Sequence, residues 1–257
     1  MTSSRRCNEE YAWNEFDPES YLAHNYLVVC DGDRKILEFA RDFFVRAFAA
    51  DPGRTGRRGI DVGTGSNLYP ALAMLPFCDR VTLYEYSQAN IDWLTRQRAA
   101  GWPSWSQVWV RFWRLLSQRS IYAEFAAFPN VELAECVDLV TGSIFDLDAS
   151  IRRWDVGTMF FVAESITPRR SEFVAAVDNF LDALRQGAPF VIAFMENSVG
   201  YQVAGKHFPA VAVDCDDVRH CLDRRASDVV VERFDAGENP LRDGYSGMIV
   251  ACGRIEV

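Results

Sequence analysis

The chain has 257 residues, 49% of them hydrophobic and 25% charged, a balance that suits one large globular domain and excludes a disordered tail or a fibre. A formal net charge of −9 argues against a broad surface for nucleic acid or anionic lipid, because such surfaces neutralise phosphates with clustered Lys and Arg. Small molecules are the expected partners. Seven scattered cysteines (Cys7, Cys30, Cys78, Cys136, Cys215, Cys221 and Cys252) include no C-x-x-C pair, so neither a disulfide framework nor a metal site is expected, and the reading is of a reducing, cytoplasmic compartment. The two arginines near the N-terminus precede no apolar run, and nothing approaches the ~18 apolar residues of a membrane span.

In chain order, Phe16-Asp17-Pro18-Glu19-Ser20-Tyr21 predicts a short helix with Asp17 as N-cap and Pro18 at its first position, carrying Tyr21 and Tyr26. Over 33–50, Ile36, Phe39, Ala40, Phe43, Phe44, Ala47 and Phe48 recur at the spacing of one helix face. That predicts an amphipathic helix stopped by Asp51-Pro52-Gly53. From residue 58, short β-branched runs alternate with helix-length segments, the pattern of a parallel sheet with crossover helices. Strands are expected at 59–62, 80–84, 137–142, 155–161 and 189–195. Helices are expected at 68–76, 87–100 and 170–186, the last two with Ser87 and Ser171 near their starts. After residue 205 come a short extended piece, a helix near 214–224, and strands 228–234 and 246–255 joined by a turn over 235–240, a pair most simply antiparallel. Between the second and third strands, 101–129 inserts Trp102, Trp105, Trp109, Phe112, Trp113, Tyr122, Phe125 and Phe128. Such an insertion covers a pocket, forms an interface or packs as an added helix. The three roles stay open at this point.

The segment that carries chemistry is Gly59-Ile60-Asp61-Val62-Gly63-Thr64-Gly65-Ser66-Asn67-Leu68-Tyr69, followed by Val81-Thr82-Leu83-Tyr84-Glu85-Tyr86-Ser87. An apolar strand enters a Gly-x-Gly turn, a helix follows, and a second strand ends in an acid about twenty residues on. In an open parallel sheet ligands bind beyond the carboxyl ends of the strands, which puts the turn and Glu85 on one crevice. Glycine admits a close ligand, and a carboxylate can accept two hydrogen bonds from a ribose diol. Dinucleotide sites want a third glycine where Leu68 stands. Asp61, two residues before the first glycine, suits a cofactor with a cationic amino group and no phosphates, so S-adenosylmethionine is favoured over a dinucleotide.

Five motifs in order sharpen this reading: Phe16 to Tyr26; Asp61-Val62-Gly63-Thr64-Gly65 with Tyr69; Glu85-Tyr86-Ser87-x-x-Asn90; Phe161-Val162-Ala163-Glu164-Ser165-Ile166-Thr167-Pro168; and Tyr201 with Gly205-Lys206-His207-Phe208. Together they make the sequence similar to class I methyltransferases of the nicotinamide, phenylethanolamine and indolethylamine N-methyltransferase family, over most of the chain. The resemblance implies a Rossmann-like, mostly parallel seven-stranded α/β sheet with helices on both faces, an antiparallel last strand and an N-terminal helical cap. As one methyltransferase domain over 1–257, the cap spans 1–55 and the core 56–257, the latter holding the aromatic insertion. It implies S-adenosylmethionine as cofactor and S-adenosylhomocysteine as product. Tyr21 and Tyr26 would close over the cofactor, and Gly63, Thr64, Gly65 and Tyr69 would line its methionine side with Asp61. Glu85, Tyr86 and Asn90 would hold the ribose and adenine end, with Ser143 and Ile144 in place of an acid the family often has there.

On the acceptor side, Phe161, Glu164, Phe194, Glu196 and Tyr201 are the expected substrate residues. Glu164 and Glu196 are the carboxylates expected to bind an ammonium and move its proton. Phe194 stands where nicotinamide-using members carry an aspartate. The expected reaction is in-line methyl transfer to a small-molecule amine or heteroaromatic nitrogen, by a monomer or homodimer. The alternatives are O- or C-methylation of a natural-product precursor, and a cofactor-binding interaction protein that associates through the Trp-rich insertion. Asp214, Asp216 and Asp217 are expected as charges at a helix start, and His24, His207 and His220 are not assigned as catalytic bases.

Overall fold

The computed structural model of the chain describes residues 7–147, 153–237 and 240–256; the sequence readings of residues 1–6 and of Glu238-Asn239 in the last turn lie outside them. Two 3₁₀ turns, Cys7–Glu10 and Trp13–Glu15, lead into helix α1 (Pro18–Tyr26). The Asp17 carboxylate accepts from the Glu19 and Ser20 amides, each at 3.0 Å, and Pro18 takes the position where a missing N–H costs no helical bond. Helix α2 (Asp31–Ala47) buries Ile36, Leu37, Ala40 and Phe44 completely.

The core then alternates as expected: β1 (Arg58–Val62), α3 (Tyr69–Met74), β2 (Arg80–Glu85) and α4 (Gln88–Ala99), which Ser87 caps by accepting from the Asn90 amide. The insertion folds as a π-helical turn, Trp105–Trp109, then α5 (Val110–Leu116), α6 (Ser120–Ala123) and α7 (Pro129–Cys136). Next come β3 (Val137–Thr141), β4 (Val156–Phe160), α8 (Arg170–Ala183) and β5 (Pro189–Glu196). The chain ends with β6 (Tyr201–Val203), β7 (Lys206–Phe208), α9 (Cys215–Leu222), β8 (Ala226–Asp235) and β9 (Gly247–Ile255).

Seven strands form one sheet in the order β3-β2-β1-β4-β5-β9-β8. Strands β1 to β5 run parallel, and β9 pairs antiparallel with both of its neighbours. The strand order reverses between β1 and β4, so the loops leaving their carboxyl ends diverge and open a crevice. Side chains alternate along β5: Val191, Ala193 and Met195 join the core that holds α2 and the insertion, whereas Phe190, Ile192 and Phe194 join the core of α8 and α9.

Some local expectations change. The extended piece after residue 205 is one arm of the β6/β7 hairpin, which turns at Ala204 and Gly205, both at positive φ (48° and 79°). Helix α8 starts at Arg170, so Ser171 lies inside its first turn and does not cap it. Trp102, Trp109, Phe112, Trp113 and Tyr122 are buried, so most of the insertion's rings are core packing, while Phe128 stays 68% exposed. Asp214 and Asp217 form a reciprocal capping box on α9, a structural use of that acidic cluster.

Candidate active site

The loops at the carboxyl ends of β1 to β4 converge on a groove of about 820 Å³, its open mouth included. Its glycine turn places Gly63 (φ +67°) and Gly65 (φ +53°) in left-handed backbone. A Cβ on Gly63 would stand 2.5 Å from a Val162 methyl, so only glycine lets the β1 and β4 loops meet this closely. At the end of β2, Glu85 accepts from the Gly65 amide through Oε2 at 2.8 Å and from the Ser87 amide through Oε1 at 2.7 Å. These bonds fix the carboxylate against the glycine turn, while burial raises its pKa. Thr64, Tyr86, Asn90, Ser143 and Ile144 line the groove from the loops, and Trp13, Tyr21 and Tyr26 line it from the cap. The cap is latched to α4: the Ser87 hydroxyl donates to the Trp13 carbonyl at 2.7 Å, the Gln88 amide to Asn14 Oδ1 at 2.9 Å, and the Trp93 indole to Glu19 at 2.7 Å.

Among the described residues, six buried side-chain polar atoms have no hydrogen-bond partner, and five belong to this region: Asp61 Oδ2, Ser66 Oγ, Asn67 Nδ2, Asn90 Oδ1 and Glu164 Oε2. Buried polar atoms are nearly always paired. Three of the five, on Ser66, Asn67 and Asn90, belong to residues lining the groove, which fits a polar ligand such as a nucleoside with an amino acid tail.

A second cavity of about 540 Å³ shares Tyr21, Tyr26, Phe161, Ser165 and Tyr201 with the groove. Asp33, Met195, Arg242 and Met248 complete much of its wall. Asp33, 1% exposed, accepts from the Tyr69 hydroxyl at 3.0 Å and from the Cys30 thiol at 3.1 Å, and burial pushes its carboxyl up to about 6. Glu164 adjoins the shared residue Ser165; its Oε1 accepts from the Met195 amide at 3.0 Å and from the Ser165 hydroxyl at 2.9 Å. Burial pushes Glu164 up to about 7. Phe161 holds φ at +59°, a conformation that costs a bulky residue energy, and its amide donates to the Ala193 carbonyl at 2.7 Å. That strained residue stands in the wall between the two cavities.

Five expected site residues lie elsewhere than anticipated, among them Glu164, which is completely buried beside Ser165 and lines neither cavity. Asp61 is 1% exposed behind the turn, with Oδ1 accepting from Thr158 at 2.7 Å; it reaches the groove only through its field. Tyr69 stacks on Phe112 at 5.2 Å and bears on the second cavity through Asp33 rather than lining the groove. Phe194 packs on Phe173 at 5.6 Å in the opposite core, because one step along a strand reverses the face; Met195 takes the cavity wall instead. Glu196 lines neither cavity: Arg233 at 2.7 Å and Ser246 at 2.5 Å occupy its oxygens, and the Arg233 guanidinium lowers its pKa. The residues unmarked in sequence include Trp13 and Met195 in the two walls and, bearing charge, Asp33 and Arg242. An acid at position 33 sits one turn from Ile36 and Leu37 on the buried stripe of α2, a local signal that a carboxylate is being carried inward.

A strand order with this reversal, a glycine turn facing a strand-end acid and a helical cap above define a class I S-adenosylmethionine-dependent methyltransferase. The profile of the NNMT/PNMT/TEMT family matches residues 5–251, and the chain belongs to that family. It is 26% identical over 233 residues to the phenylethanolamine N-methyltransferase of Sus scrofa, covering 85% of this chain and 80% of that one. The structure of the CcbJ methyltransferase from Streptomyces caelestis superimposes with a TM-score of 0.56 at 14% identity, covering 96% of this chain and 99% of that one. The 1,6-didemethyltoxoflavin-N1-methyltransferase of Burkholderia thailandensis, solved with 1,6-didemethyltoxoflavin and S-adenosylhomocysteine, gives a TM-score of 0.53 at 15% identity, covering 100% and 94%. Among the described residues no helix is long and apolar enough to cross a membrane.

Proposed function

We propose that this enzyme methylates the nitrogen of a small-molecule amine, with the cofactor in the strand-end groove and the acceptor in the adjoining cavity, cap and core acting as one unit. The observation that carries this reading is the shared wall of Tyr21, Tyr26, Phe161, Ser165 and Tyr201, with two buried carboxylates, Asp33 and Glu164, at or beside the second cavity. S-adenosylmethionine supplies a methyl group whose bond to sulfur breaks as the nitrogen lone pair forms the new bond. In the groove, Glu85 accepts from the ribose hydroxyls, Asn90 and Ser143 offer polar contacts, and Gly63, Thr64 and Gly65 let the methionine portion approach backbone. The free Oδ2 of Asp61 supplies negative potential beneath a cationic amino group.

An alkylamine with a pKa of roughly 10 is protonated at neutral pH and has no lone pair to give. Glu164 attracts that ammonium and takes or relays its proton, and its elevated pKa, about 7, makes it a better base than an ordinary carboxylate. The aromatic wall excludes water and aligns nitrogen with the methyl group, which is where most acceleration arises. Incubation with S-adenosylmethionine and a panel of arylalkyl and heteroaromatic amines, followed by mass spectrometry that locates the new methyl, tests the reading. Methyl on nitrogen is expected, with Glu164→Gln lowering kcat about a hundredfold or more, the lower end of general-base effects. Methyl found only on oxygen or carbon, or on nothing, rejects it.

A further inference from the structure

Arg242 lies in the wall of the second cavity, half-buried. Its Nη1 donates to the Gly200 carbonyl at 2.8 Å and to the Asp243 carbonyl at 3.2 Å, and its Nη2 donates to Ser198 Oγ at 2.8 Å. A guanidinium has five N–H donors. Among the described residues, three bonds leave the Nε–H and one Nη2–H without a partner, and no carboxylate stands within 4.0 Å of the group, unlike Arg225 and Arg233 nearby in sequence. The guanidinium lies over two aromatic rings, its Cζ 5.6 Å from the centre of the Tyr201 ring and 5.4 Å from that of the Tyr245 ring. Such a side chain is pre-organised, charged at every accessible pH, and has donors left over beside an enclosed space.

We infer that Arg242 reads a carboxylate on the methyl acceptor, so that the substrate is zwitterionic, carrying an amine and an acid. The inference rests on the reading that this cavity takes the acceptor. Two neighbouring N–H donors match a carboxylate in a forked geometry that a lone ammonium group cannot imitate. The buried acids Asp33 and Glu164 serve the positive end: Asp33 lines the same cavity, and the fields of Asp33, Glu164 and Arg242 all act on Tyr21 in the shared wall. A simple amine would satisfy the acids and leave the guanidinium facing the cavity unpaired, whereas a zwitterion satisfies both signs. Gln202, which lines the cavity beside Tyr201, adds a neutral polar group to the same wall.

The test is equilibrium binding to the S-adenosylhomocysteine-loaded protein, measured by calorimetry, so that it does not depend on turnover. The probes are matched sets built on phenylalanine, γ-aminobutyrate and anthranilate, each as the free acid, its methyl ester and the amine lacking the carboxyl group. At least one free acid is expected to bind tenfold or more tighter than its ester and its decarboxylated amine, a modest preference because Arg242 is half-exposed and water replaces the lost partner. Arg242→Gln is expected to abolish that preference while leaving affinity for S-adenosylhomocysteine unchanged, since Arg242 does not line the groove. Preference for the decarboxylated amines, binding of no probe, or a preference that survives Arg242→Gln overturns the inference. Acid-selective binding with the methyl placed on oxygen or carbon of the bound acid would keep the inference and reject the nitrogen acceptor proposed above.

Discussion

Glu85 ties the site together at the residue scale. Its two oxygens accept from Gly65 and Ser87, so the same carboxylate that would meet the ribose also sets the glycine turn. Glu85→Ala is expected to weaken binding of S-adenosylhomocysteine more than tenfold by calorimetry, about 1.4 kcal/mol or more; an unchanged affinity would place the nucleoside elsewhere. Asp61 and Glu164 both titrate near 7 in the folded protein, at about 7 each, against ordinary values near 4. The unfolded chain gives up these protons first, so the native state binds more protons from about pH 4 to about pH 7. Their contribution to stability is full below that window and is lost as pH rises through it. Thermal melts should show Asp61→Asn flattening the fall in Tm across this range; a slope equal to that of the wild type would contradict the assignment. Glu85 and the glycines were legible in the sequence because a strand, a turn and a second strand lie within thirty residues, whereas the burial of Asp61 behind the turn was not. Glu196 was misread because its partner Arg233 is contributed by β8, distant in sequence, and only the sheet brings them to 2.7 Å.

At the scale of elements, the aromatic insertion supports the cap from behind. Trp109 lies 5.6 Å from Tyr26, which lines the groove, and Phe112 stacks on Tyr69, which holds Asp33, so rings that do not line the groove position residues that serve the site. Trp109→Ala removes a completely buried indole and is expected to cost about 3–5 kcal/mol of stability, read as a lower urea midpoint at unchanged slope. A loss below about 1 kcal/mol, with association changed instead, would return the insertion to the role of an interface. Helix α2 was legible from its apolar stripe and α1 from its cap, because both signals are local. The β6/β7 hairpin was not: its strands are three residues each, too short for alternation to register, and its second strand carries two exposed residues. The insertion's division into four helical pieces was equally hidden, since aromatic rings occur on every face of it.

For the whole molecule, the number and direction of the strands followed from alternating runs of apolar sequence, and the parallel order places every groove loop at one edge of the sheet. The second cavity, proposed above for the acceptor, is different in kind. It is assembled from positions 33, 165, 195, 201 and 242, which share no spacing, and it exists only once α2, the β5 end and the segment before β9 are packed together. That is why the cofactor was readable from sequence and the charged groups lining this cavity were not.

The most direct measurement is a crystal structure of the protein with S-adenosylhomocysteine bound. The ribose hydroxyls should lie within hydrogen-bonding distance of Glu85, with the sulfur facing the wall formed by Tyr21, Phe161 and Tyr201 and the second cavity beyond it. A nucleoside seated outside the groove, or a sulfur turned away from that wall, would contradict the account.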